Sequence, residues 1–189
     1  QAQTSPVDSI KFFTDEGLIE MTLTTDIGKL QIQENVETYQ PADISVRFTD
    51  NTVISEQIQL YARGKSRRVN CELPPIMLDF HNTTSPKLYP LSRLKLIVGC
   101  ANSSVDEQLL LKEFIIYKIY NLFEEKSFRA RLAKVTYKDS RGKMKSYSQY
   151  AFLLEDVDDM AKRNGCKASK KVAFAVDEND PALMNKVDI

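Results

Sequence analysis

Residues 147–167 read Tyr-Ser-Gln-Tyr-Ala-Phe-Leu-Leu-Glu-Asp-Val-Asp-Asp-Met-Ala-Lys-Arg-Asn-Gly-Cys-Lys, and this stretch decides more of the fold than any other. Its apolar run, 147–154, predicts a strand that ends on the carboxylate of Glu155. Acidic residues within 156–159 then begin a short helix and the basic pair 162–163 ends it, as the helix dipole favours. An unpaired charge is costly to bury. Glu155 is therefore either a solvated strand end or a group placed to receive a ligand.

The composition is that of an ordinary globular domain with a sizeable core. The chain has 189 residues, of which 42% are hydrophobic, and its 26 basic residues balance its 26 acidic ones. A nucleic-acid-binding domain normally carries a net basic face, and nothing in this composition suggests one, so we expect no nucleic-acid partner. The longest apolar runs are too short to span a membrane.

The cysteines are few and widely spaced. Cys71, Cys100 and Cys166 form no Cys-x-x-Cys pair, and His81 is the single histidine, so we expect no structural zinc site. One disulfide with one thiol left over is expected if the chain is exported. Buried free thiols are the alternative, and we favour them on the sequence alone.

The first third of the chain predicts β-structure. Short apolar runs at 10–13, 19–23 and 30–33 are separated by turn residues. The runs 44–48 and 58–60 alternate between apolar and polar side chains, which is typical of a hairpin with one face in the core. A half-exposed antiparallel sheet is the expected product.

A basic loop, Arg-Gly-Lys-Ser-Arg-Arg at 63–68, closes that hairpin. Its Gly-Lys-Ser resembles part of a phosphate loop, but the motif needs a glycine five positions before Gly64, and Gln59 stands there. Two interpretations remain open. The glycine permits a tight turn in an ordinary solvated loop, or the surrounding cations hold an anion.

The longest predicted helix begins with a capping box formed by Ser104 and Glu107. Apolar residues follow at helical spacing over so broad a surface that we expect the helix to be buried on more than one side. Glu113 lies within it. Either Lys112 and Lys118 pair with this carboxylate at the surface, or it has a role in a site.

Further strands are expected at 73–80, 94–98 and 128–137, and the last of these pairs with 147–154 in an antiparallel hairpin. The apolar phase of 128–137 changes part of the way along, which predicts a β-bulge near 133–134.

Three motifs occur together in an informative order. They are Arg-Gly-x-Ser-Arg at 63–67, Leu-Leu-x-Lys-Glu-Phe-x-x-Tyr-Lys at 109–118 and Tyr-Ala-Phe-Leu-Leu-Glu-Asp at 150–156. Over residues 61–167 the chain resembles the spore-coat protein H (CotH) kinase-like family, and within it a bacterial branch of uncharacterised, exported relatives.

This resemblance implies an α+β fold. A mainly antiparallel sheet would pack with one long buried helix and a short helix, as in the small lobe of an atypical protein-kinase-like fold. The expected organisation is a β-rich segment at 7–62, a CotH-like small-lobe region at 63–167 and an irregular tail at 168–189.

The resemblance also implies the amino-terminal part of an ATP-dependent kinase that transfers phosphate to a protein, with ATP and Mg²⁺ as cofactors. The cofactor-binding residues would be Arg63, Lys65, Arg67, Glu113 and Glu155. Glu113 would occupy the helix that in kinases orients an ATP-contacting lysine, and Glu155 would lie near the nucleotide-binding hinge.

A second function stays open, that of a non-catalytic exported binding or structural module. Asp79 stands on a strand where the family offers basic residues, and the family's metal-binding and catalytic acids lie in a later segment. Under either function we expect an extracytoplasmic location and no nucleic-acid partner.

Overall fold

The computed structural model describes residues 11–32, 38–64, 67 and 70–168. Seven strands and three helices have bounds within these regions, preceded by a short 3₁₀ turn at Lys11–Phe13. Arg67 and Asn70 are helical as well. The strands are β1 (Ile19–Thr25), β2 (Gln40–Arg47), β3 (Val53–Ala62), β4 (Ile76–Asp79), β5 (Arg93–Val98), β6 (Ala130–Asp139) and β7 (Tyr147–Glu155). The helices are α1 (Ile27–Gln31), α2 (Ser104–Phe123) and α3 (Val157–Arg163).

The strands form a closed barrel in the order β1-β2-β3-β4-β5-β7-β6. Neighbouring strands are antiparallel except β1 and β6, which close the barrel in parallel. At this seam Met21 lies opposite Val135 on one side and Val46 on the other. Closure leaves no strand edge unpaired, which is how barrels avoid edge-to-edge aggregation.

The expected kinase-like small lobe is therefore wrong, because the sheet is a closed mixed barrel. Its closing contact joins β1 to a strand more than one hundred residues later in the chain, as in the pairing of Ile19 with Ala133. Alternation of side chains predicts which residues point inward, but not which strand lies next to which. The sequence left open whether the first sixty residues stand apart, and the barrel contains strands from both 7–62 and 63–167.

The core occupies the barrel interior, where alternate residues of every strand meet. Full burial of such a side chain contributes roughly 1.5–3 kcal/mol. The largest inward side chains include Met21, Leu23, Ile44, Leu60, Ile76, Leu78, Leu94, Leu96 and Tyr137.

Strand β6 is apolar on both faces for part of its length, and this explains the predicted bulge. The pairing of β6 with β7 runs without interruption from Ala130–Leu154 to Tyr137–Tyr147, so the bulge is wrong. Val135 and Tyr137 fill the interior. Ala130 packs on the outer face, which α2 covers. What looked like a change of phase is a strand buried on the inside by the barrel and on the outside by a helix.

Helix α2 lies along the outer face of β6 and β7 and contacts it with one face only. Leu110 is the one residue of α2 that is buried, and Phe114 and Tyr117 pack beside it against Phe152. The expectation of burial on more than one side is therefore wrong. The helix also begins one residue earlier than predicted, because Ser103 caps it by accepting a hydrogen bond from the backbone of Asp106.

Two predicted strands near the amino terminus are turns of helix. Within the run 10–13, Lys11–Phe13 forms the 3₁₀ turn, and the run that begins at Leu30 falls in α1. Asp26 begins α1 by accepting a hydrogen bond from the backbone of Lys29. Short apolar runs do not distinguish a strand from a helical turn, and here the aspartate cap decides. Residues 10 and 33 lie outside the described residues.

The cysteines differ from the favoured prediction. Cys71 and Cys100 form a disulfide, and Cys166 is free and exposed. The bond joins the chain before β4 to the loop between β5 and α2. The predicted tail, apart from residue 168, lies outside the described residues.

Of the helices in the described ranges, none combines the length and hydropathy needed to cross a membrane.

Candidate functional site

Glu155 is fully buried at the end of β7, and two arginines hold it. Oε1 accepts hydrogen bonds from Arg129 Nε (3.1 Å) and Nη2 (2.8 Å) and from Arg163 Nε (2.9 Å). Oε2 accepts from the backbone nitrogen of Arg129 (3.1 Å) and from Arg163 Nη2 (3.0 Å). Two carboxylate oxygens offer about four acceptor positions, so these five bonds saturate them. Glu155 thus stabilises the junction of β6, β7 and α3 and has no acceptor left for a ligand.

Arg63 and Lys95 share the outer face of the barrel. Beyond β3, the backbone of Arg63 donates to Pro75 (2.7 Å), which extends the ladder by one residue. In the row two residues earlier, Tyr61 lies opposite Met77, and Met77 opposite Lys95. Neighbouring strands are about 4.8 Å apart. Arg63 and Lys95 thus lie on the same face, roughly 10 Å apart across β4 and offset by two residues along the strands, and the charge of Arg63 acts on Lys95.

Both cations are half-buried, and neither forms a salt bridge within the described part of the chain. Burial lowers the pKa of Lys95, and the positive charge of Arg63 lowers it further. Burial also lowers the pKa of Arg63. The Lys95 ammonium lies 4.7 Å from the ring centroid of Phe128, a contact that cations make readily. We call Arg63 and Lys95 the cation pair.

Arg93 lies on the same face, but its charge is compensated. Its Nη2 lies 3.4 Å from Asp156 Oδ1 and 3.3 Å from Asp158 Oδ2. Burial by itself lowers the pKa of Arg93. The charge of Asp156, together with smaller contributions from other groups, more than offsets this, so the pKa is raised. Asp156 is itself buried and caps α3 through the backbone nitrogen of Asp158. The charge of Asp156 also raises the pKa of Arg63 and of Lys95, but burial outweighs it at both residues. The cation pair therefore carries the least compensated positive charge of this face.

The structure places the other predicted site residues in different surroundings. Arg67 Nη2 donates to the carbonyl of Val98 (2.6 Å) and so is tied to the end of β5. Lys65 lies outside the described residues. Glu113 is exposed on α2, and among the described residues no hydrogen bond or ion pair joins it to Arg63, Arg67 or Glu155.

The surface pairing suggested for Glu113 is also not observed. Lys118 instead forms an ion pair with Glu16 (2.6 Å). The described residues include no salt bridge between Lys112 and Glu113. Burial, followed by the charge of Glu113, raises the pKa of Tyr117.

Sequence reasoning missed Lys95. The signal was a lysine inside the apolar run Leu94-Lys95-Leu96, which in an alternating strand must point away from the core. What the pattern could not show is that Lys95 and Arg63 share one face of the barrel on either side of β4.

A cavity of about 470 Å³ opens at one end of the barrel, and Arg131 lies in its wall. The Arg131 side chain is 2% exposed and donates to the carbonyls of Phe12 and Gly17 and to Asp15 Oδ2 (2.7 Å). The rings of Phe12 and Phe48 lie within 5.7 Å of its guanidinium carbon. Because the protein itself occupies these donors, Arg131 seals the barrel end, and the cation pair is the stronger candidate site.

The residues present fit the phosphates of a nucleotide better than they fit a metal. Cations that lack a carboxylate partner suit phosphate oxygens. The described ranges contain no group of three or more histidine, cysteine, aspartate or glutamate residues that could hold a metal ion.

Comparison with known proteins adds no relative. No protein-family model matches the chain, and neither a curated protein nor a solved structure is significantly similar to it.

Proposed function

We propose that this barrel binds a phosphate-bearing ligand on the outer face of β3–β5, with Arg63 and Lys95 as its main contacts. One observation carries the proposal: the two cations share one face on either side of β4, half-buried, without a salt bridge in the described residues, and the charge of Arg63 acts on Lys95. Like charges so placed disfavour each other. A bound phosphate removes that penalty and forms charge-assisted hydrogen bonds, for which the guanidinium fork is well suited.

Two tyrosines next to the cation pair favour a nucleotide over inorganic phosphate. Tyr61 lies two residues before Arg63, and its ring packs edge to face against Tyr39, with centroids 4.9 Å apart. Tyr39 is 43% exposed, so its ring offers a surface on which a base can stack. ATP, the cofactor that the family resemblance implies, combines a base with a chain of phosphates.

Under this proposal the chain contributes the nucleotide-binding part of an ATP-dependent phosphotransferase that acts on a protein. The cation pair would position the phosphates and neutralise their charge, which is the main task of a protein in phosphoryl transfer. Mg²⁺ would supply further positive charge to the phosphates. Arg63 and Lys95 are the residues of this chain that would contact them.

A second candidate function is a non-catalytic exported module that binds its ligand without transferring phosphate. The disulfide between Cys71 and Cys100 supports an exported, extracytoplasmic protein, because such bonds persist in oxidising compartments. The non-catalytic function is also supported by Glu155, because arginine donors occupy its carboxylate and leave it unable to bind a ligand.

Isothermal titration calorimetry with ATP, with and without Mg²⁺, tests the binding. We expect Lys95→Met and Arg63→Met each to weaken the affinity by about tenfold, or ~1.4 kcal/mol. Lys145→Met is the matched control, because Lys145 is an exposed lysine in the loop between β6 and β7, and it should bind as the wild type does. Equal affinities in all four proteins would contradict the site, and no binding by the wild type would contradict the function.

Two further measurements separate the ligand classes and the candidate functions. Tripolyphosphate and adenosine are titrated in parallel; tighter binding of ATP than of either supports a nucleotide site. Transfer of a labelled γ-phosphate to a protein substrate supports the phosphotransferase, whereas ATP binding without transfer favours the non-catalytic module.

A further inference from the structure

The outward face of α2 is apolar and exposed, although the opposite face already packs on the barrel. Monomeric proteins seldom expose a continuous apolar patch beyond a few hundred square ångströms. A helix that is apolar all round is normally covered on all sides. Seven apolar side chains on α2 are between 49% and 82% exposed, namely Val105, Leu109, Ile115, Ile116, Ile119, Leu122 and Phe123.

The exposed residues along the centre of this face have the spacing of a coiled-coil seam. They recur at alternating intervals of four and three residues, the interval that keeps a stripe facing a second helix. We call this row the α2 stripe, and its members are Val105, Leu109, Lys112, Ile116, Ile119 and Phe123.

The intervals of the α2 stripe are the same whether it is followed from its amino-terminal or its carboxy-terminal end, and its midpoint along the helix axis is at Phe114. If two copies of the helix cross antiparallel at that level, Val105 meets Phe123 and Leu109 meets Ile119. At the centre Lys112 meets Ile116. A spacing that repeats under reversal is what a twofold axis requires, because in a symmetric dimer the same patch is used by both subunits.

The charges at the centre of the stripe complement each other in this arrangement. Lys112 is the single charged member of the stripe, and Glu113 lies at its edge. With a rise of 1.5 Å per residue, Lys112 lies about 4.5 Å along the axis from Glu113 of the second copy. The dyad generates this contact twice. Each charge thus gains an opposite charge that it lacks among the described residues of its own chain.

We propose that the protein forms a symmetric homodimer in which two α2 helices pack antiparallel through the α2 stripe. This packing would cover the five apolar members of the α2 stripe on each copy, which are between 49% and 82% exposed. A second copy of this chain presents the same apolar row and the complementary charges, so it is the occupant that fits this face.

Sedimentation velocity at a series of concentrations tests the dimer. Every sample carries Cys166→Ser, because this exposed thiol could cross-link two copies. The parent should sediment as a dimer, and Ile116→Glu should raise the dimer dissociation constant at least tenfold. Ile32→Glu is the matched control: Ile32 is 75% exposed beside α1, and this variant should remain dimeric. A monomeric parent, including one whose stripe is covered by another part of its own chain, would overturn the proposal.

A charge exchange tests the antiparallel crossing itself and does not depend on a disruptive variant. Lys112→Glu alone and Glu113→Lys alone place like charges at the dyad, and each should weaken the dimer. The double variant exchanges the charges and should restore the dimer to near the affinity of the parent. Weakening without restoration in the double variant would overturn the antiparallel arrangement. Thermal unfolding of each variant verifies that the barrel is intact.

Discussion

Glu155 and Arg163 form a two-point ion pair, with Nε 2.9 Å from Oε1 and Nη2 3.0 Å from Oε2. Arg163 also donates to the carbonyls of Glu125 and Ser127 in the chain that follows α2. One guanidinium therefore joins the last turn of α3 to the end of β7 and to the segment that leads into β6. Such bidentate pairs define orientation as well as adding energy.

We expect Glu155→Gln to destabilise the protein by about 3 kcal/mol, because it leaves the partly buried charges of Arg129 and Arg163 without their carboxylate. The free energy of unfolding in urea measures this. Glu125→Gln is the matched control, since Glu125 is exposed and its substitution should change the free energy by less than about 0.5 kcal/mol. Similar values for the two variants would show that the buried ion pairs contribute little.

The disulfide between Cys71 and Cys100 should stabilise the fold by restricting the unfolded chain. For a sequence separation of 29 residues, chain entropy predicts that the double variant Cys71→Ala/Cys100→Ala loses about 3–4 kcal/mol. Urea unfolding under non-reducing conditions measures the loss. Cys166→Ala removes an exposed free thiol and should leave the stability unchanged. A loss below about 1 kcal/mol in the double variant would contradict a structural role for the bond.

Two adjacent serines distinguish the observed start of α2 from the predicted one. The Ser103 hydroxyl accepts a hydrogen bond from the backbone nitrogen of Asp106 (3.1 Å), so Ser103→Ala should cost about 1 kcal/mol. Ser104 lies inside the first turn, and Ser104→Ala should cost nothing, since alanine has the higher helix propensity. Thermal unfolding compares the two variants. If Ser104→Ala were the more damaging, the cap would be at the position that the sequence suggested.

The lowered pKa of Lys95 makes ligand binding sensitive to alkaline pH. Burial and Arg63 move this pKa below the ordinary value of 10.5. The charged form is present below the folded-state pKa, so affinity for ATP should be retained there and lost as the pH rises through it, before 10.5 is reached. Calorimetric titrations across this range measure the loss. Lys95→Arg keeps its charge and should bind ATP at alkaline pH; an identical profile in both proteins would exclude Lys95 as the titrating group.

The lowered pKa of Lys95 also makes the free energy of unfolding depend on pH. Between the lowered pKa and 10.5 the unfolded chain binds a proton at Lys95 that the folded chain does not. Stability therefore increases with pH across this window as far as Lys95 alone is concerned. Replacement by methionine should remove that contribution, which urea unfolding at two pH values within the window can detect.

The segment after residue 147 was predictable because its structure is local. The strand ending at Glu155 and the helix ending before Asn164-Gly165 are confirmed as β7 and α3. Alternation, an aspartate cap and the order of charges act within a few residues. Gly165 adopts a φ of 65°, which few residues other than glycine tolerate.

Predictions that required knowledge of neighbours were less successful. Helix α2 was recognised, but its apolar circumference indicated burial on several sides, and only one face touches the barrel. The apolar pattern of β6 was attributed to a bulge, although the helix outside the strand causes it. In both cases the sequence shows correctly that a surface of the element is apolar. It does not show which part of the structure covers that surface.

By itself the sequence determined where most strands after residue 40 lie, where α2 and α3 lie, and that basic residues follow β3. These properties depend on contacts within one element or turn. Only the tertiary structure decided that β1 closes a barrel on β6, that Lys95 and Arg63 share one face of the barrel, and that Glu155 is bound by two arginines. The physical reason is that pairing between distant strands is selected by the packing of the whole core, which no local pattern encodes.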